Sequence, residues 1–264
     1  MNRYWAEREA NTQKKLTDKN IKETNEQLRK YYRSAMKQVI SDFENTYNKL
    51  LATVVEGKQP TPADIYSLDK YWKMQNQLAE YLQKLGEKEA KFLSKKFMEE
   101  YKTIYEAISI KGQVAFTQAN LEIAEEIINS VWVADGKSWS TRIWENTNKL
   151  REELNENLIH CVIAGKKSTE LKHLLQERFG VAFNRADTVV RTELAHIQTQ
   201  AAKQRYKDYG IKEVEILVDP DERTCPVCGK LDGKRYSINA QMPVPVHPRC
   251  RCCIVPVVET KLNK

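Results

Sequence analysis

From Leu28 onward, apolar residues return every three or four positions: Leu28, Tyr32, Met36, Val39, Phe43, Tyr47, Leu50 and Val54. That spacing keeps them on one face of a 3.6-residue helix, so it predicts an amphipathic helix, stopped by Gly57 and Pro60. Thr61-Pro62-Ala63-Asp64 then reads as a helix start, with Thr61 as N-cap, Pro62 at N1 and a carboxylate at N3. The stripe continues through Ile65, Leu68, Trp72, Ala79, Leu82 and Leu85, and resumes after Gly86 at Phe92, Phe97, Tyr101, Ile104 and Ile108. Two long helices, or one bent near Gly86, satisfy it equally. Its aromatics follow the helical period, which fits helix packing better than base stacking. Residues 1–26 are nearly all polar and read as a frayed helix or as an arm that orders on a partner.

The texture changes at Gly112. Asn120 is placed to cap a helix to about Val131, and Ala134-Asp135-Gly136-Lys137 is a turn. Ser140 caps a further helix with Ile143, Trp144, Leu150, Leu154, Leu158, Ile159 and Val162 inward, ended by Gly165. Ser168 opens a short helix to Phe179, closed by Gly180. Asn184, with Asp187 at N3, opens another that runs to Tyr209 and Gly210. Strand chemistry appears only afterwards. Val214, Ile216 and Val218 alternate with Glu215 and Leu217, a short strand fits Lys234 to Ser237, and Ile254 to Val258 is a further extended run. The expected fold is α+β and mostly α-helical, with long helices in the N-terminal half and a small C-terminal sheet. The expected division is 1–112, a helical region for association with a partner or with sister copies, and 113–264, a second domain that carries the cysteines.

Those cysteines change the picture. Cys225 and Cys228 form a C-x2-C knuckle ending in Gly229, and His247, Cys250 and Cys252 return as H-x2-C-x-C. Two close ligand pairs separated by a short loop encode a tetrahedral Zn2+ site, because each pair fixes two ligand directions and the metal closes the loop. Five ligands compete for four places. Cys225, Cys228 and His247 come first, with Cys250 ahead of Cys252 as the fourth. Cys253 would point the other way in an extended segment.

Three rivals stand against it. Disulfides are disfavoured in a reducing cytosol, and the start Met-Asn-Arg-Tyr-Trp-Ala-Glu-Arg-Glu has no apolar secretory stretch, so a cytoplasmic product is expected. A thioredoxin-like redox pair needs a βαβ context, whereas a long helix and one strand precede Cys225. A deaminase-type catalytic zinc needs an upstream H-x-E, and none of His160, His173, His196 or His247 has Glu two residues on. A structural ion is expected.

Charge adds little. The net charge of +7 is spread among interleaved acids and bases, a mild bias towards anionic partners. Mean hydropathy is -0.65 and no apolar run approaches membrane-spanning length, so no membrane role is expected. Arg191 and Glu193 fit a buried or half-buried ion pair between helices, and His196 a hydrogen-bonded interface histidine rather than a base. Asp219 and Arg223 flank the knuckle, where side-chain to backbone bonds would fix its loop. No Ser-His-Asp set, P-loop or Rossmann glycine pattern occurs.

The run Asp-Glu-Arg-Thr-Cys-Pro-Val-Cys-Gly-Lys-Leu-Asp-Gly, followed by Pro-Val-His-Pro-Arg-Cys-Arg-Cys, resembles the C-terminal motif of the Mu F-like phage head morphogenesis proteins. Trp144, the Gly165-Lys-Lys-Ser168 turn and Ala186-Asp-Thr-Val-Val-Arg-Thr-Glu193 agree with it, and the resemblance runs from about Asn120 to Val258. Cys228 stands where many relatives carry His, an exchange that conserves a ligand. The resemblance implies a minor head protein of a tailed phage or prophage, located in the virion and in the host cytoplasm during assembly. It also implies association with the portal protein and with capsid or scaffold proteins, weak non-specific DNA contact in packaging or delivery, and no settled enzymatic activity. Some relatives add toxin domains after this module; with Lys264 last, none is expected here. The rival class is a zinc-dependent nucleic-acid-binding or processing enzyme.

Overall fold

The computed structural model describes residues 3–51, 61–109, 118–218 and 221–258. Among them are α1 (Arg3–Leu51), α2 (Pro62–Tyr66), α3 (Asp69–Ala107), α4 (Leu121–Asn129), α5 (Trp139–Ile163), α6 (Ser168–Asp208), β1 (Glu213–Leu217), α7 (Pro226–Gly229), β2 (Arg235–Ser237) and β3 (Cys253–Pro256). The α+β class holds: long helices dominate, and the three strands form one antiparallel sheet in the order β2-β1-β3. The expected stops at Gly57 and Pro60, and the change of texture at Gly112, lie outside the described residues.

The chain folds into two compact units, neither of them continuous. The first comprises Met1–Asn25, Leu93–Ser138 and Thr188–Lys264; the second comprises Glu26–Phe92 and Trp139–Asp187. The units therefore cut across the division near residue 112, and α1, α3 and α6 each supply residues to both.

Three helices differ from their sequence reading, each for a physical reason. The polar lead segment is neither frayed nor an arm, since α1 runs unbroken from Arg3. Its inward positions are Ala6, Ala10, Gln13, Thr17, Ile21 and Thr24, which keep the three-and-four spacing with small and polar side chains. Partners within the first unit satisfy them. Gln13 Nε2 donates to Tyr206 Oη at 2.8 Å, Thr17 Oγ1 donates to Glu100, and Asn20 Nδ2 donates to Glu100 Oε2 at 2.8 Å. In α3 the alternatives resolve to one helix that passes through Gly86. A Cβ there would lie 2.7 Å from Trp144 Cζ3, so the glycine admits the indole rather than ending the helix. The third, α6, passes through Gly180 as a single helix, and neither Gly180 nor Asn184 is a boundary.

Most other start and stop signals act where the sequence places them, but α5 already begins at Trp139, so Ser140 lies within the helix and does not cap it. Thr61 caps α2 in a capping box with Asp64, although α2 ends at Tyr66 and α3 starts separately at Asp69. Asn120 caps α4 through Glu122 N and Ile123 N. Gly165 and Gly210 sit at φ +58° and +71°, and the following amides reach back to Cys161 O and Tyr206 O. Those bonds close α5 and α6 in Schellman turns.

Within the second unit the apolar faces of α1, α3, α5 and α6 meet around Tyr32, Phe43, Leu78, Leu150 and Phe179. A polar layer crosses this core. Tyr32 Oη donates to Glu89 Oε2 at 3.0 Å and accepts from Asn146 Nδ2 at 3.0 Å. Asn146 Oδ1 accepts from Arg185 Nε at 2.6 Å, and Arg185 grips Glu153 at 3.0 and 3.2 Å. In the first unit, β3 covers the start of α1: Ala6 and Ala10 pack on Cys253 and Val255.

Candidate metal centre

Two turns build the site. The first is the knuckle. Cys225 is the N-cap of the single turn α7, and the Cys228 N–H donates to its Sγ at 3.3 Å. Pro226 at the first turn position presets the backbone, and Gly229 N returns to Cys225 O at 2.9 Å. An N–H aimed at sulfur stabilises the thiolate, and Cys225 is lowered from the usual thiol value chiefly by that bond. The second turn is His247-Pro248-Arg249-Cys250, closed by Cys250 N to His247 O at 3.1 Å. Arg249 takes φ 61°, the left-handed region. Its backbone N–H donates to Thr192 Oγ1 at 3.2 Å and its Nε to Thr188 Oγ1 at 3.1 Å, so α6 holds the turn.

These turns bring all five ligand candidates together. Cys225, Cys228 and His247 form one group whose ligand atoms lie within 4.8 Å of one another, and Cys228, Cys250 and Cys252 form a second. His247 Nε2 stands 3.3 Å from Cys225 Sγ and 3.2 Å from Cys228 Sγ, while Cys228 and Cys250 sulfurs are 3.8 Å apart. A zinc ion with bonds of about 2.3 Å to sulfur and about 2.0 Å to nitrogen has S–S and S–N edges of about 3.8 and 3.5 Å. The donor set fits. The histidine is prepared for it as well. Nδ1 lies 2.8 Å from Pro248 O, and because a carbonyl only accepts, Nδ1 carries the proton and Nε2 keeps its lone pair for a metal.

The sulfurs divide their acidity unevenly. The contact with Cys252 pulls the Cys250 thiol down to about 5 and pushes Cys252 up, while burial raises Cys228 to about 12. All six cysteines are free. Cys253 faces the other way, as extended alternation requires, and its Sγ lies 3.8 Å from Leu217 O.

The groups around the ligands are harder to read from sequence. Asp219 lies outside the described residues. Its neighbour Asp221 does the fixing: Arg251 grips it at 2.8 and 2.6 Å, and Arg223 adds a contact at 3.0 Å. The Arg251 guanidinium holds the Asp221 carboxyl well below the usual carboxylate range. This clamp ties the knuckle loop to the Cys250-Arg251-Cys252 segment. Glu193 Oε2 accepts from Trp132 Nε1 at 2.9 Å. The His196 ring stacks on Trp132 at 4.2 Å and 1°, beside a half-open cavity of about 580 Å3 that Gln200 and Met242 also line. Burial lowers His196 to about 4, so it is neutral at physiological pH.

A family model described as Phage Mu protein F like protein matches residues 152–255. The matched stretch contains all five candidate ligands and ends in β3. Among curated proteins, the chain is similar to the NAD(+)--arginine ADP-ribosyltransferase EFV of Enterococcus faecalis, 24% identical over 165 residues. That similarity covers 53% of this chain and 34% of the transferase, so the chain spans about a third of that protein's length. No solved structure matches the chain.

Proposed function

Residues 152–255 belong to the Phage Mu protein F like family, and from that premise we propose that the chain is a minor head protein of a tailed phage or prophage. It acts in head morphogenesis, associates with the portal and takes part in packaging or delivery of DNA. The carrying observation is that the family segment contains the whole Cys/His cluster. One Zn2+ bound there would act as a staple. Four protein ligands would leave no open position for substrate, and the ion would close the loop between the two turns.

Exposed aromatics support docking through the helices of residues 1–112. Tyr4, Trp5, Tyr66 and Trp72 expose 60%, 51%, 42% and 54% of their surfaces. Large exposed aromatics are what interface cores use. Among the described residues no helix is long and apolar enough to cross a membrane. The net charge of +7 supports weak DNA contact, indifferent to sequence and lost steeply as salt rises.

The test is co-purification of the chain with a phage portal protein co-expressed with it, for the parent and for Trp5→Ala and Trp72→Ala. Loss of recovery in either variant, with an unchanged helical circular-dichroism spectrum, supports portal docking through these helices. Absence of the parent chain from purified heads would overturn the head-protein reading.

A further inference from the structure

Two groups of three ligand atoms share Cys228, so five candidates stand near a site that needs four, and their arrangement says how the surplus is used. Three corners are individually placed. Cys225 and Cys228 come from one turn, and His247 comes from the other with both sulfurs 3.2–3.3 Å from its Nε2. The two ligand groups share Cys228, and beyond it stand Cys250 and Cys252 together. Both of their sulfurs lie within 4.8 Å of the Cys228 sulfur and of each other. Both residues are buried, at 3% and 5% exposure. The reason is local geometry. Residues i and i+2 of an extended segment face the same side, so a C-x-C run that leads into β3 turns both thiols towards the knuckle. The side chain between them, Arg251, goes to Asp221, and Cys253 goes to the opposite face against Ala6 and Ala10.

Resting on the zinc reading above, we infer that the fourth corner is redundant: the thiolate of either Cys250 or Cys252 completes the site. The remaining sulfur stays beside the ligating one, within 4.8 Å of it and of the Cys228 sulfur. Loss of one of these cysteines leaves a complete set of three sulfurs and one nitrogen. Loss of both removes a corner that no other Cys or His in the cluster can fill.

The experiment loads full-length protein with Zn2+, and separately with Co2+ as a coloured probe. It compares the parent with Cys250→Ala, Cys252→Ala, the double variant and Cys253→Ala, and follows helical content by circular dichroism. Each single variant is expected to keep one ion with affinity within about tenfold of the parent, the smaller end of what altered groups around a metal cost. Each should also keep the parent's sulfur-to-cobalt band intensity, equal to three thiolates. The double variant should lose affinity by more than about a hundredfold and drop to a two-thiolate band. Collapse of one single variant to the double variant's behaviour, or full retention by the double variant, overturns the redundancy while leaving the zinc site standing. A parent that binds neither ion overturns the zinc reading itself.

Discussion

Glu89 keeps 1% of its surface exposed, and only one of its carboxylate oxygens has a partner, the Tyr32 hydroxyl. Burial raises it from 4.5 to about 7. The native state therefore holds this proton more tightly than the unfolded chain does. Its contribution is fully present below about 4.5 and is lost as pH rises to about 7, on the order of 3 kcal/mol in all. Glu89→Gln removes the titration and keeps the shape. The variant should melt above the parent at pH 8, with the advantage gone at pH 4; a difference that does not change with pH would contradict this. His196 acts with the opposite sign. Burial lowers it from 6.5 to about 4, so its contribution is lost as pH falls through that range. At this scale the Cys/His cluster was legible because C-x2-C and H-x2-C-x-C are local spacings. Asp221 with Arg251, and Thr188 and Thr192 with Arg249, were not. Those partners meet only after the chain folds back, and nothing in either neighbourhood marks them.

Helices were legible where their inward positions are aliphatic or aromatic, as in α1 beyond Leu28 and in much of α5, although Trp144, expected inward, is exposed and Asn146 and Thr147 are buried. They were illegible where burial falls on Ala, Gln and Thr, because those residues carry no periodic hydrophobic signal. Glycine misleads for a related reason. Gly180 reads as a stop, yet buried Leu171, Leu175 and Phe179 before it and Ala182, Ala186 and Val190 after it carry α6 across. A helix-interior glycine costs about 1 kcal/mol relative to alanine, which such packing outweighs. No atom lies within 4 Å of a Cβ built at Gly180, so Gly180→Ala should stabilise the protein by about 0.5–1 kcal/mol in urea unfolding. Gly86→Ala should do the reverse. Its Cβ would meet the Trp144 ring at 2.7 Å, and overpacking of that kind costs about 1–3 kcal/mol. Stabilisation by both substitutions would mean that Trp144 does not sit against α3.

For the whole molecule, the α+β class and the place of the sheet followed from the order of helical and alternating runs. The assembly of the units did not. A C-terminal module compact by itself is the simpler reading of the sequence, but the first unit takes in Met1–Asn25, whose Ala6 and Ala10 cover Cys253 and Val255. Gln13 bonds Tyr206, whose hydroxyl in turn donates to Ile254 O at 3.4 Å. Long-range closure of this kind leaves no trace in local sequence pattern. A chain lacking residues 1–25 should therefore melt below the parent and surrender its metal to a chelator faster, since β3 begins directly after Cys252. Metal retention and melting equal to the parent's would show that α1 is dispensable to the sheet.

The central proposal is that a metal fastens the knuckle to the C-x-C segment ahead of β3. The measurement that reaches it most directly is the zinc content of purified full-length protein, taken with its thermal melt before and after chelation. The predicted result is about one Zn2+ per chain, as four protein ligands bind one ion. Chelation should lower the melting temperature, and Zn2+ should restore it. Protein that carries no ion when prepared with zinc present, or that melts identically once stripped, would contradict the metal staple.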